Sequence, residues 1–200
     1  MIGHGLGWIR YRGAGIGVAM LAVFAGGLPA QEMVVSVETQ VSLFTRILAF
    51  DRNLTERVGH EIVIGVAYEP QLQASVDARD ALLRLLPNGV KIEGIRLRAV
   101  AIATDNVNEL RTGIQQNAID IIYVAPLQTL SLDAITSICR DLGVVTYTGI
   151  PEYVSAGVAV GIAMSQRRLE ILINLPAAIA VGAEFSSELL KLARLVDQQP

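Results

Sequence analysis

Few side chains in this 200-residue chain have the type and spacing that catalysis or metal binding requires. The histidines are His4 and His60, and His60 stands alone before an apolar run. No His, Cys or carboxylate pair has the spacing of a metal site. Ser155 lacks the glycine two residues earlier that a nucleophile elbow needs, and only the isolated His60 could serve as its base. We therefore expect no enzyme activity, no catalytic residues, no metal and no cofactor.

Two other features resemble functional motifs only superficially. Gly13-Ala-Gly-Ile-Gly17 looks like a nucleotide-binding loop, but it follows no strand. The single cysteine, Cys139, cannot form an internal disulfide and falls on the apolar side of a predicted helix. The simpler interpretation of Cys139 is a small buried hydrophobe, and the alternative is a redox-sensitive or intermolecular thiol.

The polar cluster that most strongly suggests a binding role is Phe50-Asp51-Arg52-Asn53, which follows an apolar helical pattern. One interpretation is a helix that ends at the surface, with Asp51 and Arg52 forming an exposed ion pair. The other is a binding edge in which Phe50 packs and Arg52 reaches a partner.

A second candidate for binding is Gly149-Ile-Pro-Glu-Tyr153, which follows a predicted strand. Ligands of open parallel sheets bind beyond the carboxyl ends of the strands. The loops at Tyr68–Pro70 and Ala125–Pro126 would share that edge of the sheet. The alternative is that all three segments are turns without a further role.

The first thirty residues have the order of a secretory signal peptide. Arg10 and Arg12 precede an apolar run, which a small-residue cleavage site ending at Ala30 follows. The run is about 15 residues long, whereas a membrane-spanning helix needs roughly 20. We predict export to the periplasm with cleavage near Ala30, so that residues 1–30 are the signal peptide and 31–200 one domain. A retained membrane anchor is the alternative.

Composition limits the partners of that domain. Apolar residues make up 52% of the chain and charged residues 18%, which predicts a buried core. Removing residues 1–30 takes away two arginines and no acid, which changes the net charge from −3 to −5. An acidic chain lacks the basic footprint that nucleic acid or anionic lipid requires, so neither is an expected partner.

Strand-like and helix-like patterns alternate along the domain. Four helices are predicted, which begin at Val37, at about Ser75, at 104–106 and at Ser131 or Asp133, and strands are predicted at 62–68, 94–103, 119–124 and 144–147. Thr104, Asp105 or Asn106 can cap the third helix, and Val107 is expected on its inner side. Gly143 is predicted to end the fourth helix in the left-handed conformation.

The alternation of strands and helices ends after a predicted helical turn at Pro151. Residues 158–163 and 169–173 read as a hairpin, a short helix opens at Pro176, and a last helix begins at Ser186 or Ser187. Its inner stripe is predicted to hold Leu189, Leu192, Ala193 and Val196. The fold class is therefore α/β: a single three-layer domain with a mostly parallel sheet, helices on both faces and a C-terminal antiparallel hairpin.

The sequence from Ile119 to Val196 resembles the YfiR family of periplasmic proteins. The likeness lies in Ile-Asp-Ile-Ile-Tyr-Val (119–124), Gly-Ile-Pro-Glu-Tyr (149–153), Leu-Glu-Ile-Leu-Ile-Asn (169–174), Ala177-Ala178 and Phe-Ser-Ser-Glu-Leu-Leu-Lys-Leu-Ala (185–193). The region from Val37 to Val124 agrees more loosely, in the order of its elements and in Ile64-Gly65-Val66.

This resemblance implies a regulatory protein that acts as a homodimer and represses an inner-membrane diguanylate cyclase, or a similar membrane sensor, by binding its periplasmic part. Cyclic-di-GMP signalling and biofilm formation would then be its outputs. Several relatives couple this control to cysteine pairs, which the lone Cys139 does not support. Relatives also tend to end the first helix with Trp-Pro, where this chain has Phe50-Asp51-Arg52-Asn53.

A repressor of this kind needs an apolar contact surface with a polar rim rather than a reactive pocket. The predicted partner-binding residues are Phe50, Asp51, Arg52, Tyr153, and Phe185 and Leu190 on the exposed side of the final helix. Core packing is the alternative interpretation of the apolar ones. The alternative function is a periplasmic small-ligand, or solute, binding module, because the strand order resembles one lobe of a solute-binding protein.

Overall fold

The structure, a computed structural model, describes Met33, residues 35–86 and residues 91–197. The predicted leader with its cleavage site and the turn predicted at Pro87-Asn88-Gly89 lie outside these residues. Across the described ranges, no helix combines the length and the apolar character needed to cross a bilayer.

Helices and strands alternate through the described ranges. The helices are α1 (Val37–Leu48), α2 (Leu54–Arg57), α3 (Gln73–Leu85), α4 (Val107–Gln116), α5 (Leu132–Leu142), α6 (Pro151–Ser155), α7 (Leu175–Ala180) and α8 (Ser187–Leu192). The strands are β1 (Glu61–Tyr68), β2 (Lys91–Ile92), β3 (Ile95–Ala103), β4 (Ile121–Val124), β5 (Val145–Thr148), β6 (Val160–Ser165), β7 (Arg168–Ile173) and β8 (Arg194–Leu195).

All of these strands form one sheet in the order β2-β3-β1-β4-β5-β6-β7-β8. The five strands from β3 to β6 in this order are parallel, whereas β2 and β7 run antiparallel to β3 and β6. From β1, which lies between β3 and β4, the chain first adds strands on one side of the sheet and then on the other. The predicted fold class, including the antiparallel hairpin of β6 and β7, is confirmed.

Side chains that alternate along the central strands fill two apolar layers. In β1, Ile62 and Val66 point into the layer under α1 and α3, and Val63 and Ala67 into the layer under α4 and α5. Because both faces of β1 are covered, its sequence is continuously apolar, as expected of a strand in a parallel sheet. The three-layer arrangement follows from this pattern.

Two predicted helix boundaries rest on specific contacts. Asn106 caps α4, because its side-chain oxygen accepts a hydrogen bond of 2.9 Å from the backbone N–H of Glu109. Gly143 ends α5 with a φ of +69°, the left-handed conformation that glycine adopts without strain. The cap of α4 is thus Asn106, one of the three candidates, and the prediction for Gly143 is confirmed.

The end of the chain corrects the predicted last helix. Helix α8 stops at Leu192, which is 73% exposed, and Arg194–Leu195 instead form β8, parallel to β7. The predicted apolar stripe fitted a helix, but pairing with β7 satisfies backbone groups that a longer helix would leave at the sheet edge. Val107 is also 40% exposed, because it is the first residue of α4, so its predicted inward position is wrong.

Candidate functional site

The exit of α1 contains a buried ion pair rather than the exposed one in the first interpretation of the sequence. The Asp51 side chain is 1% exposed and forms an ion pair with Arg57, whose side chain is 17% exposed. Its carboxylate also accepts backbone N–H hydrogen bonds from Asn53 (3.1 Å) and Glu184 (3.0 Å). A surface pair of Asp51 with Arg52 is therefore wrong, because the Asp51 carboxylate turns inward and accepts from three protein donors, Arg57 and the backbone N–H groups of Asn53 and Glu184.

Main-chain contacts join the same exit to the segment that precedes α8. Asp51 and Phe185 form an antiparallel bridge. On either side of it, the Arg52 N–H donates to the Glu184 carbonyl (2.9 Å) and the Ser186 N–H donates to the Phe50 carbonyl (2.9 Å). The predicted residues 50–52 and 185 therefore do come together, although they are far apart in sequence.

Above Asp51 lies a surface that we call the α1-exit surface, made of Phe50, Arg52, Glu184 and Glu188. Phe50 is 38% exposed, and Arg52 lies 3.6 Å from the Glu184 carboxylate, with both side chains more than half exposed. Hydrogen bonds from its own backbone N–H and from Ser186 lower the pKa of Glu188, and the charge of Arg52 lowers it further. An exposed aromatic ring is thus bordered by charges of both signs.

The other predicted partner-binding residues are less accessible. Phe185 lies before α8, not on its exposed side, and it is 6% exposed because it packs into the layer beneath α1. Leu190 on α8 is partly buried against the same layer. Tyr153 on α6 is 7% exposed and belongs to the opposite layer. The predicted placement of Phe185 on an exposed helix face is wrong.

Tyr153 contributes instead to the carboxyl edge of the sheet, where the loops after β1, β4 and β5 meet as predicted. Its hydroxyl oxygen accepts a hydrogen bond of 2.9 Å from the backbone N–H of Leu127. Glu69 follows β1 and is 5% exposed. Its carboxylate points towards the three residues that follow Leu127 in the loop after β4. The N–H groups that donate to it are those of Gln128 (3.0 Å), Thr129 (2.7 Å) and Leu130 (2.8 Å).

These contacts affect the acid–base chemistry of the edge. Burial raises the pKa of Tyr153, and the nearby charge of Glu69 raises it further, while the Leu127 N–H opposes both. The hydroxyl is therefore a neutral acceptor. The sequence analysis singled out the loops but not the role of Glu69, because the direction of backbone N–H groups is not encoded in residue type.

A buried amide holds α1 close to this edge. Gln40 is fully buried, and its Nε2 donates to the Val35 carbonyl (2.6 Å) while its Oε1 accepts from the Tyr123 hydroxyl (2.6 Å). The side chain passes against Gly149, where a Cβ atom would overlap it. Burial raises the pKa of Tyr123, so the hydroxyl stays protonated and donates.

The space between α1, α3 and the sheet is small and apolar. It encloses about 20 Å³, enough for one water-sized group. Its lining consists of Val41, Phe44, Thr45, Leu48, Ile64, Leu82, Leu86, Ile121, Tyr123 and Tyr147. No group of three or more His, Cys, Asp or Glu side chains that could hold a metal ion occurs in the ranges 35–86 and 91–197.

Cys139 lies in the layer beneath α5. It is 1% exposed, and burial raises the pKa of its thiol to about 12. A buried, protonated thiol packs as a small hydrophobe and is a poor nucleophile. The geometry therefore favours the simpler of the two interpretations.

The mostly parallel open sheet, which helices cover on both faces, defines an α/β domain. The sequence model of the YfiR/HmsC-like family matches residues 67–194, and the chain belongs to that family. The resemblance noted in the sequence is confirmed. Membership supports a regulatory role in general, since the family is regulatory and non-catalytic.

Solved structures show the same fold at low sequence identity. A conserved domain protein from Vibrio cholerae O1 biovar El Tor has a TM-score of 0.56 and 16% identity, with 80% of this chain and 60% of that chain covered. The ABC domain from Streptococcus pneumonia in complex with L-Trp has a TM-score of 0.54 and 15% identity, with 76% and 61% covered.

A third structure is the ligand-free, open form of a substrate binding protein with adhesive properties from Clostridium difficile. Its TM-score is 0.54 and its identity 18%, with 82% of this chain and 61% of that chain covered. The chain therefore spans about three fifths of the length of these structures. No curated protein matches it significantly.

Proposed function

We propose that the chain is a periplasmic, non-catalytic regulatory protein that represses an inner-membrane diguanylate cyclase, or a similar membrane sensor, by contacting its periplasmic part. The observation that carries this proposal is the family match over residues 67–194. The signal-peptide pattern of residues 1–30 supports export and cleavage near Ala30. A homodimer is the form that the family resemblance implies.

The proposed contact is the α1-exit surface. Phe50 offers an exposed aromatic ring, and Arg52, Glu184 and Glu188 supply a charged rim, which is the composition of a protein interface. The buried Asp51 and Phe185 fix this surface from below rather than contact the partner. Tyr153 and Leu190 support the packing of the domain in the same way.

The first experiment is deletion of the gene, followed by measurement of cyclic-di-GMP and biofilm mass. Loss of a repressor should raise both quantities. In parallel, the tagged mature protein is purified from solubilised membranes, where a membrane protein with a cyclase domain is expected to co-purify. Unchanged cyclic-di-GMP together with no co-purifying membrane sensor would contradict the proposal.

A second experiment locates the contact with exposure-matched variants. Phe50→Ala is compared with Val107→Ala, because these side chains are 38% and 40% exposed. Arg52→Ala is compared with Arg111→Ala, because each arginine forms an exposed ion pair. Truncating a central hot-spot residue costs more than about 1 kcal/mol, so Phe50→Ala should bind the sensor roughly tenfold more weakly. Arg52→Ala removes a rim charge and should weaken binding by a smaller factor. Equal affinities in all four variants would remove the α1-exit surface from the proposal.

A solute-binding module is the second candidate, and the fold shared with a substrate binding protein favours it. Its test is a thermal-shift screen with envelope metabolites. A ligand present at 100 times its dissociation constant stabilises the native state by about 2.7 kcal/mol. A screen without any stabilising ligand, combined with co-purification of a sensor, would decide for the regulatory role.

A further inference from the structure

Four consecutive backbone N–H groups at the carboxyl edge point to side-chain oxygens. The N–H of Leu127 meets the Tyr153 hydroxyl at 2.9 Å, and those of residues 128–130 meet the Glu69 carboxylate at 2.7 to 3.0 Å. One carboxylate oxygen accepts two of these bonds and the other accepts one. The loop lies before α5, which begins at Leu132.

Successive N–H groups that converge in this way form a concave site for an anion. Hydrogen bonds to an ionised acceptor are about twice as strong as those between neutral groups. In the open parallel sheet, this edge is also the place where ligands bind. The loop therefore has both the chemistry and the position of an anion site.

The occupant of this site comes from the chain itself and is held rigidly. The Glu69 N–H donates to the Ser75 hydroxyl at 2.9 Å, and Ser75 is fully buried on α3. One residue earlier, the Tyr68 carbonyl accepts hydrogen bonds from the N–H and the hydroxyl of Thr104, both at 2.9 Å. These contacts fix the end of β1, so the backbone of Glu69 is already held where its carboxylate can contact residues 128–130.

We propose that the backbone of residues 128–130 is a carboxylate-binding site and that Glu69 is its resident ligand, so that the chain's own side chain occupies the carboxyl edge of the sheet. The site takes a planar carboxylate because two oxygens share three donors. A small monocarboxylate such as formate or acetate should occupy it once the Glu69 side chain is removed. This inference goes beyond the regulatory proposal, since it depends on neither the partner nor the leader.

The experiment is chemical rescue of the purified Glu69→Ala protein, and the melting temperature is the quantity measured. The variant should melt below the wild type, and formate or acetate should raise its melting temperature in a saturable way. Sodium chloride at equal ionic strength is the control for a general salt effect, and it should raise the melting temperature less than formate, because its single atom does not match the two oxygen positions that the three donors define.

The matched control is Asp120→Ala. Asp120 is a partly buried carboxylate that, unlike Glu69, accepts a single backbone N–H, from Val63 at 2.8 Å, at the opposite end of the sheet. Formate should leave the melting temperatures of this variant and of the wild type unchanged. Formate that stabilises all three proteins alike, or that does not stabilise Glu69→Ala, would overturn the proposal, and so would a Glu69→Ala protein as stable as the wild type.

If Glu69→Ala does not fold, amide hydrogen exchange of Glu69→Gln decides the question. The neutral amide keeps the shape of the side chain but replaces one acceptor oxygen with a donor group. The amides of residues 128–130 should then exchange roughly tenfold faster or more than in the wild type, while those of β4 stay protected. Wild-type exchange at residues 128–130 would overturn the proposal.

Discussion

At the scale of single residues, two ion pairs at the exit of α1 differ in their surroundings. Asp51 is buried and Arg57 is partly buried, whereas Arg52 and Glu184 are both more than half exposed. Water screens the second pair but not the first, so only the first should matter for the free energy of unfolding.

We predict that Asp51→Ala lowers the free energy of unfolding by about 3 kcal/mol, because Arg57 and two backbone N–H groups lose their acceptor. Urea unfolding monitored by circular dichroism measures the change. The control is Glu184→Ala, which removes an exposed carboxylate and should cost roughly 0 to 1 kcal/mol. Similar losses in both variants would show that Asp51 does not act as a buried acceptor.

Two neighbouring tyrosines provide a second residue-scale prediction. Tyr123 and Tyr147 are cross-strand partners that both pack edge-on against Phe44, with ring centroids 5.9 and 4.9 Å from its own. The Tyr123 hydroxyl donates to Gln40, whereas the Tyr147 hydroxyl is buried and has no hydrogen-bond partner in the part of the chain that the structure describes.

Tyr123→Phe should therefore cost about 1 to 3 kcal/mol of unfolding free energy, because it leaves the buried Gln40 oxygen without a donor. Tyr147→Phe should be neutral or stabilising, because it removes a polar atom that gains nothing from burial. Urea unfolding of the two variants side by side gives the comparison. A Tyr147→Phe loss as large as that of Tyr123→Phe would contradict this assignment.

Residue types in the sequence indicated some of these roles and not others. The capping of α4 by Asn106 depends on contacts three residues apart, so local sequence was sufficient to predict it. One partner of Asp51, the Glu184 N–H, lies 133 positions away, and the partners of Glu69 are backbone N–H groups about 60 positions away. Neither a motif nor a charge pattern marks a backbone N–H, which is why both acceptors were missed.

At the scale of elements, the packing of α1 on the sheet depends on a close approach at Gly149. A Cβ atom at this position would overlap the buried side chain of Gln40, which is already hydrogen-bonded on both sides. A Cβ atom at Gly59, by contrast, would meet no heavy atom within 4 Å.

We predict that Gly149→Ala costs roughly 1 to 3 kcal/mol of unfolding free energy, because it forces Gln40 and the helix to shift. Gly59→Ala is the control and should be neutral or stabilising by up to about 1 kcal/mol, because it restricts only the unfolded chain. Thermal unfolding of both variants tests the pair, and a stable Gly149→Ala protein would rule out the close approach.

The elements that the sequence predicted correctly are those with a strong local period. The apolar run of β1 and the stripe of α5 each identify a covered strand or helix by themselves. Strands β2 and β8 have two residues each, too few for any period to appear. Leu192 and Val196 fitted a helical stripe, and only the neighbouring edge of β7 determines that the chain there is extended.

At the scale of the whole molecule, several weak acids are buried in their neutral forms. Burial raises the pKa of Cys139 to about 12, and it also raises the pKa values of Tyr123 and Tyr147. In the unfolded chain these groups ionise near their ordinary values of about 9 to 10. Above that range the unfolded state therefore holds fewer protons than the native state, and stability falls as the pH rises.

We predict that the urea midpoint is nearly constant between about pH 6 and 8 and decreases steadily between about pH 9 and 11. Tyr147→Phe, which removes one of the acids, should make this decrease shallower. In the same pH range, Cys139 should react with iodoacetamide only after unfolding. Rapid alkylation of the native protein, or a midpoint that does not change with pH, would show that these groups are accessible.

The two anchors of α1 also bear on the order in which the molecule assembles. Gln40 contacts a residue 83 positions away, and Asp51 contacts one 133 positions away. Contacts across such long stretches of chain require most of the intervening structure first, because closing large loops has an entropic cost. Helix α1 should thus be among the last elements to dock, so a refolding molecule would present Phe50 in its native position only when folding is complete.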